Sequence, residues 1–156
     1  MKTILITGST SGIGLGIAHE FAKTKQYNIV FNGLEPNGQE IADGVAKDFG
    51  IETMYSNANM LNPKKKKKMV ADAITKFGKI DVLVNNAGIQ HVSPIEDFPD
   101  EKWAAIIGIN LTSAFYLTKA VWPGMKERKF GRIINIASAH GLVASEFKSA
   151  YVASKH

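Results

Sequence analysis

The stretch "TILITGSTSGIG", Thr3 to Gly14, decides how the rest of the chain is read. The apolar run Thr3–Thr7 has the composition of a buried strand, and it passes without a spacer into Thr7-Gly8-Ser9-Thr10-Ser11-Gly12-Ile13-Gly14. Gly8, Gly12 and Gly14 remove side chains where a backbone must turn tightly and come close to a ligand. A helical pattern starts near Ile13, so unpaired N–H groups and the positive end of a helix face whatever the turn approaches, as a pyrophosphate requires. Glycine-rich turns also serve purely structural ends. The position of this one, between the first strand and the first helix of a β-α-β unit, is what points to a dinucleotide.

Outward from that turn, short Ile- and Val-rich runs alternate with longer helical patterns. Residues 3–7, 28–33, 51–56, 81–86 and 132–138 read as strands, three of them nearly continuous in apolar residues. Residues 12–25, 37–48, 63–77 and 100–128 read as helices; in the last, Trp103, Ile106, Ile107, Asn110, Leu111, Ala114 and Leu117 share a face. Pro63 and Pro99 sit at helix starts, and Gly50, Gly78 and Gly131 sit just past helix ends. The alternation predicts an α/β fold with a parallel sheet and right-handed crossovers, and no linker, repeat or second domain interrupts residues 1–156.

A chain of 156 residues that is 45% hydrophobic and 21% charged is ordinary for one globular domain. Its net charge of +5 equals the contribution of the unbroken run Lys64–Lys68, so the basicity is one local feature. That run reads as a solvated helix face, and nucleic acid is not expected as a partner. The chain has no cysteine, which excludes disulfide and thiolate chemistry. The run "ILI" stops at Thr7-Gly8, too early for a signal peptide, and no apolar run reaches the length of a membrane span. A cytoplasmic setting without a membrane partner is therefore expected.

The last eight residues read "SAYVASKH". Tyr151 and Lys155 stand four apart, one above the other on a helix, and a phenol beside an ammonium is a proton-transfer pair. Upstream, "NNAG" (85–88) follows the fourth strand, Asn110 lies within a helix and Ser138 ends the fifth strand. The glycines are spaced G-x-x-x-G-x-G, not G-x-G-x-x-G. In order and approximate spacing, this set resembles the short-chain dehydrogenase/reductase family along the entire chain. The resemblance implies a Rossmann-like doubly wound parallel sheet with strands ordered 3-2-1-4-5. It also implies a catalytic tetrad. Tyr151 would act as the base, Ser138 would hydrogen-bond the reacting oxygen, Lys155 would support the phenolate and hold the nicotinamide ribose, and Asn110 would anchor a relay water. The cofactor would be NAD, bound along Gly8, Thr10, Ser11, Gly12, Ile13, Gly14, Asn32, Gly33, Asn59, Asn86, Ala87, Gly88, Tyr151 and Lys155, with no metal.

Within the family, "GIQHVSPIEDFP" (88–99), "GRIINIASAHGLV" (131–143) and "KSAYVASKH" (148–156) are similar to the bacterial enzymes that act on D-3-hydroxybutyrate. That similarity implies a substrate carboxylate held by Gln90, His140 and Lys148 beside Ser138 and Tyr151, and a lysine with two hydrogen-bonding side chains suits a small anion. Taken singly, Gln90 also reads as a loop amide, His140 as a turn residue and Lys148 as a solvated helix-start lysine. Two positions depart from the family pattern. Where an acidic residue usually grips the adenosine ribose, this chain has Asn32-Gly33-Leu34-Glu35, and no Arg or Lys stands there or at Ser11, so NAD is expected over NADP. Asn59 replaces the aspartate that usually contacts adenine, which is expected to weaken that contact.

Complete family members run on past the Tyr151 helix into two more strands and a mobile substrate lid, and they form homo-oligomers. The chain is therefore expected to be an N-terminal portion, cut after the fifth strand and the start of the catalytic helix. The fifth strand would be left as a bare edge, and the isolated chain would have little or no activity. A complementing C-terminal fragment is a partner such a chain could take. Two rival readings stand beside the hydroxybutyrate one. The first is a 3-oxoacyl-carrier-protein reductase, which would need NADPH. The second is a catalytically dead nucleotide-binding remnant, or one half of a split enzyme.

Overall fold

The computed structural model describes residues 1–156. Five strands, β1 (Lys2–Ile6), β2 (Tyr27–Asn32), β3 (Thr53–Ser56), β4 (Val82–Asn85) and β5 (Arg132–Asn135), form one parallel sheet in the order β3-β2-β1-β4-β5. The helices are α1 (Gly12–Lys23), α2 (Gly38–Phe49), α3 (Pro63–Phe77), α4 (Asp100–Ile107), α5 (Ser113–Glu127) and α6 (Ser149–Lys155).

The near-continuous apolar strands follow from helices on both faces. Ile4, Ile6, Ile29, Phe31, Val82 and Val84 pack against Ala18 and Ala22 of α1 and Ala42 and Val45 of α2. The alternate residues Leu5, Val30 and Leu83 pack against Met69, Val70 and Ala73 of α3 and Leu117, Val121 and Met125 of α5. With both faces apolar, a one-residue slip would expose nothing, so hydrophobicity alone does not set the register. Polar contacts at the strand ends do. At one end, Thr3 N–H donates to the buried Asp81 carboxylate (2.8 Å) and Asp81 N–H donates to the Thr3 carbonyl (2.8 Å). At the other, the N–H groups of Asn86 and Ala87 donate to the Thr7 hydroxyl at 3.0 and 2.9 Å.

Helix ends obey the sequence signals in part. Asn62 caps α3 by accepting from Lys65 N–H (3.0 Å), with Pro63 in the first turn. Gly50 and Gly78 close α2 and α3 in the left-handed conformation. Past α5, the left-handed turn falls on Lys129 (φ 54°), and not on Gly131.

Four expectations need correction. The continuous helix over 100–128 is broken into α4, a π-turn at Gly108–Thr112, and α5. The expected shared face is not buried as a unit either: Ile106 and Leu117 are buried while Trp103 and Leu111 are exposed. By length and composition, Asp100–Glu127 taken as one run would also suffice to cross a membrane, contrary to the sequence reading. In the fold its apolar residues serve partly as core, through Leu117, Val121 and Met125. The last strand stops at Asn135, which releases Ile136–Ser138 from the sheet.

The fourth correction concerns the lysine run. Four of its members are exposed, but Lys66 is 2% exposed. Its ammonium donates to the Met60 carbonyl (2.7 Å) and lies 4.8 Å from the centre of the Tyr116 ring, with no carboxylate partner. Burial holds its pKa below the ordinary 10.5. Between the lowered value and 10.5 the unfolded chain binds more protons than the folded one, so the Lys66 contribution to stability rises with pH in that window. Urea unfolding of the chain and of Lys66→Met across this range should therefore show the parent gaining relative to the variant as pH climbs towards 10.5. A difference that stays flat would mean that the ammonium is hydrated.

Candidate active site

The chain leaves β1 for β2 on one side and returns to β4 on the other, so a crevice opens beyond the carboxyl ends of these strands. The turn after β1 is fixed there by side chains from both neighbours. Gly8, at φ 61°, donates its N–H to Asn32 Oδ1 (3.2 Å), and its carbonyl accepts from Asn86 Nδ2 (3.0 Å). A Cβ on Gly14 would collide with the Gly8 carbonyl and crowd Asn86, so the first turn of α1 lies directly on the glycine turn.

The crevice is a cleft of about 550 Å³. Of the residues singled out from the sequence, Gly8, Ser11, Ile13, Asn32, Gly33, Asn59, Asn86, Ala87, Gly88, Gln90, Tyr151 and Lys155 line it together. Thr10, Gly12, Gly14, Asn110, Ser138, His140 and Lys148 do not, and they lie behind its walls or beyond its rim. Gly12, at φ 53°, has open space where a Cβ would stand, next to the start of α1. A cradle of glycine backbone at a helix N-terminus, opening into a cleft, fits the pyrophosphate of a dinucleotide.

Two positions differ in character from what the residue types suggest. Asn32 is 2% exposed, and its amide nitrogen donates to the Ser56 (3.1 Å) and Ala58 (2.9 Å) carbonyls. Its polar atoms are therefore committed to joining the glycine turn to the segment after β3. The charge at this end of the cleft comes instead from Glu35, which was not among the expected site residues. Its carboxylate accepts from the hydroxyls of Thr10 and Ser11 (2.9 Å to Ser11). The Thr10 hydrogen bond, foremost, holds its pKa below the usual carboxylate range against the opposing effect of burial. Burial, and then the Glu35 charge, push the neighbouring Tyr55 phenol up. The sequence signal was available: an acidic residue shortly after β2, opposite two hydroxyl residues of the glycine turn.

At the other end, α6 presents Tyr151 and Lys155 to the cleft. The Lys155 ammonium donates to the Ile136 carbonyl (2.7 Å), in the segment released from β5, and lies 5.8 Å from the centre of the Tyr151 ring. His140 meets the same ring edge-on at 5.9 Å, and its Nδ1 faces the Val143 carbonyl (3.2 Å). The Ser138 hydroxyl accepts from His140 N–H (3.2 Å), which leaves its own proton free to donate. Lys148 stands at the N-terminal boundary of α6, where a cation opposes the helix dipole. It follows Phe147, which is held at φ 60°, and Phe147 is tied through its carbonyl to Ser93 N–H (2.8 Å) on the loop that follows Gln90. A site for an anion would explain a lysine in this place.

Asn110 occupies the π-turn and reaches Ile89 with both ends of its carboxamide, Oδ1 accepting from Ile89 N–H (2.8 Å) and Nδ2 donating to the Ile89 carbonyl (2.9 Å). A Cβ on Gly88 would lie 3.4 Å from Asn110 Oδ1 and 3.7 Å from the Lys155 ammonium, so the floor of the cleft runs directly from β4 to α6.

A family model described as short chain dehydrogenase matches residues 2–156. The chain is 54% identical over 155 residues to a D-beta-hydroxybutyrate dehydrogenase of Cupriavidus necator and 51% identical over 157 residues to one of Rhizobium meliloti. Each alignment takes in 99% of this chain and 60% of the relative, so the chain spans about three fifths of the length of these relatives. An alcohol dehydrogenase of Thermococcus sibiricus, solved with 5-hydroxy-NADP, superposes with a TM-score of 0.94 at 24% identity over 99% of this chain and 66% of its own. That match bears on the fold, which is the Rossmann-like doubly wound sheet. With the family model covering all but the first residue, the chain belongs to the short-chain dehydrogenase family.

Proposed function

We propose that the chain is the nucleotide-binding and catalytic portion of an NAD-dependent dehydrogenase that interconverts 3-hydroxybutyrate and acetoacetate. The observation that carries this reading is the shared cleft: the Gly8 turn and Glu35 stand at one end, and Tyr151 and Lys155 on one face of α6 at the other. The names of the two bacterial relatives support the substrate.

Bound in the cleft, the nicotinamide supplies the hydride acceptor for oxidation and the donor for reduction. The chain's own residues handle the proton and the carboxylate. Tyr151 takes the hydroxyl proton at its phenolic oxygen. Lys155 places positive charge beside that ring, where negative charge develops as the proton moves. Ser138 donates its free proton to the reacting oxygen, and Gln90, His140 and Lys148 hold the carboxylate. Since the Val143 carbonyl calls for a proton on His140 Nδ1, Nε2 can donate to a carboxylate only in the imidazolium form. On this reading the rest of the substrate site comes from the two fifths of the relatives' length that this chain does not span.

At the adenosine end, the Glu35 carboxylate disfavours a 2′-phosphate by like charge, and Ser11 offers no cation to offset it. Fluorescence titration with both reduced cofactors should show tighter binding of NADH than of NADPH, with the gap narrowed in Glu35→Gln. A clear preference for NADPH would point to the carrier-protein reductase reading.

Turnover is tested in the chain completed with the C-terminal part of one of the bacterial relatives. NADH formation from D-3-hydroxybutyrate should fall about 10²-fold or more in Tyr151→Phe, the scale of general acid–base catalysis. In Lys148→Ala the substrate KM should rise about tenfold or more, as expected for one charge-assisted contact. Full activity of Tyr151→Phe would refute the mechanism, and an unchanged KM would make Lys148 a surface lysine.

A further inference from the structure

We propose that Ser154 is a positioning residue for the reaction: it clamps the catalytic helix α6 to Asn110 and, through Asn110, to the floor of the cleft. The proposal rests on reading Tyr151 and Lys155 as the reacting pair.

Ser154 is 7% exposed and lies one turn from Tyr151, next to Lys155. Its hydroxyl donates to the Tyr151 carbonyl (2.8 Å) and accepts from Asn110 Nδ2 (3.0 Å). The bond to Tyr151 is a local one of the kind helical serines often make. The bond from Asn110 is not local, because it crosses from the π-turn to α6, 44 residues apart in the chain.

Every side-chain donor along this path is used. Asn110 has two amide protons; one goes to the Ile89 carbonyl and the other to Ser154. Its oxygen accepts from Ile89 N–H. The single proton of Ser154 goes to Tyr151. No rotation of either side chain preserves these bonds, so the Ile89 loop, the π-turn and α6 are held in one relative position. Tyr151 and Lys155 are carried on the last five residues of that short helix, where fraying would otherwise blur their aim. Replacing Ser154 by Ala leaves one Asn110 amide proton without its acceptor and frees α6 from the cleft floor. The effect should appear in rate, since the glycine turn that holds the other end of the cofactor is untouched.

Two measurements decide it. In the 1–156 chain, Ser154→Ala should speed amide exchange of the α6 residues and of Ile89 by about tenfold, the scale of one neutral hydrogen bond, without altering β1–β4. In the completed enzyme, kcat should fall by a similar factor while NADH affinity is largely kept. Ser154→Ala should then have little further effect on kcat once Asn110→Ala is present. Unchanged exchange in α6 would show that no clamp exists. Faster exchange with kcat retained, or additive losses in the double variant, would reduce Ser154 to a structural role. Absence of turnover in the completed parent, or full activity of Tyr151→Phe, would reject the reacting pair and the positioning role with it, while exchange would still decide on the clamp.

Discussion

Gly8 donates its N–H to the carboxamide of Asn32 and receives at its carbonyl the carboxamide of Asn86, so one residue in the left-handed conformation is pinned through the peptide groups on both sides of it. The two asparagines end β2 and follow β4, the strands that flank β1 in the sheet. Asn32 continues to the Ser56 and Ala58 carbonyls, and Asn86 also donates to the Thr7 carbonyl (2.9 Å). The crevice at the middle of the sheet is therefore framed by backbone whose polar groups are satisfied by side chains. Leaving one such buried group unpaired would cost about 1–3 kcal/mol, a large share of a small domain's stability.

A frame of this kind separates two tasks. The glycine turn and the asparagines make a backbone cradle with little charge of its own, and Glu35 adds a negative charge at the same end of the cleft. The proposed reacting pair is carried on α6, a seven-residue helix with little core of its own: Ala150 and Ser154 are its buried residues. Its placement depends on polar contacts, namely Asn110 with Ser154 and Lys155 with the Ile136 carbonyl, and on the packing of Gly141 against the end of the helix. The sheet and its packed helices thus frame the glycine-turn end of the cleft, and hydrogen bonds set the position of α6 at the other.

The sheet was legible in the sequence because buried parallel strands leave continuous apolar runs, and the glycine turn because its place after β1 leaves few alternatives. Other features were concealed. A π-turn has no composition signature, so 100–128 reads as one helix although Asn110 sits in a break. Lys66 looked like one member of a charge run, yet it stands at helical spacing from the buried Met69, Val70 and Ala73, and that periodicity was a signal against full solvation. Asn32 looked like a ligand contact because it stands where the family usually carries an acidic ribose contact, but only the fold shows that its hydrogen bonds go to backbone. Ser138, His140 and Lys148 gather around α6 and not in the cleft wall, a placement that their residue types do not reveal.

The central claim is that the cleft framed on Gly8 is a dinucleotide site. The most direct test is calorimetric titration of the 1–156 chain with NADH, alongside Gly14→Ala, whose added methyl would strike the Gly8 carbonyl while leaving both core layers intact. The account predicts saturable binding by the parent chain and a loss of affinity of about tenfold or more in the variant. A folded parent that binds no NADH, or a Gly14→Ala variant that binds it equally well, would contradict it.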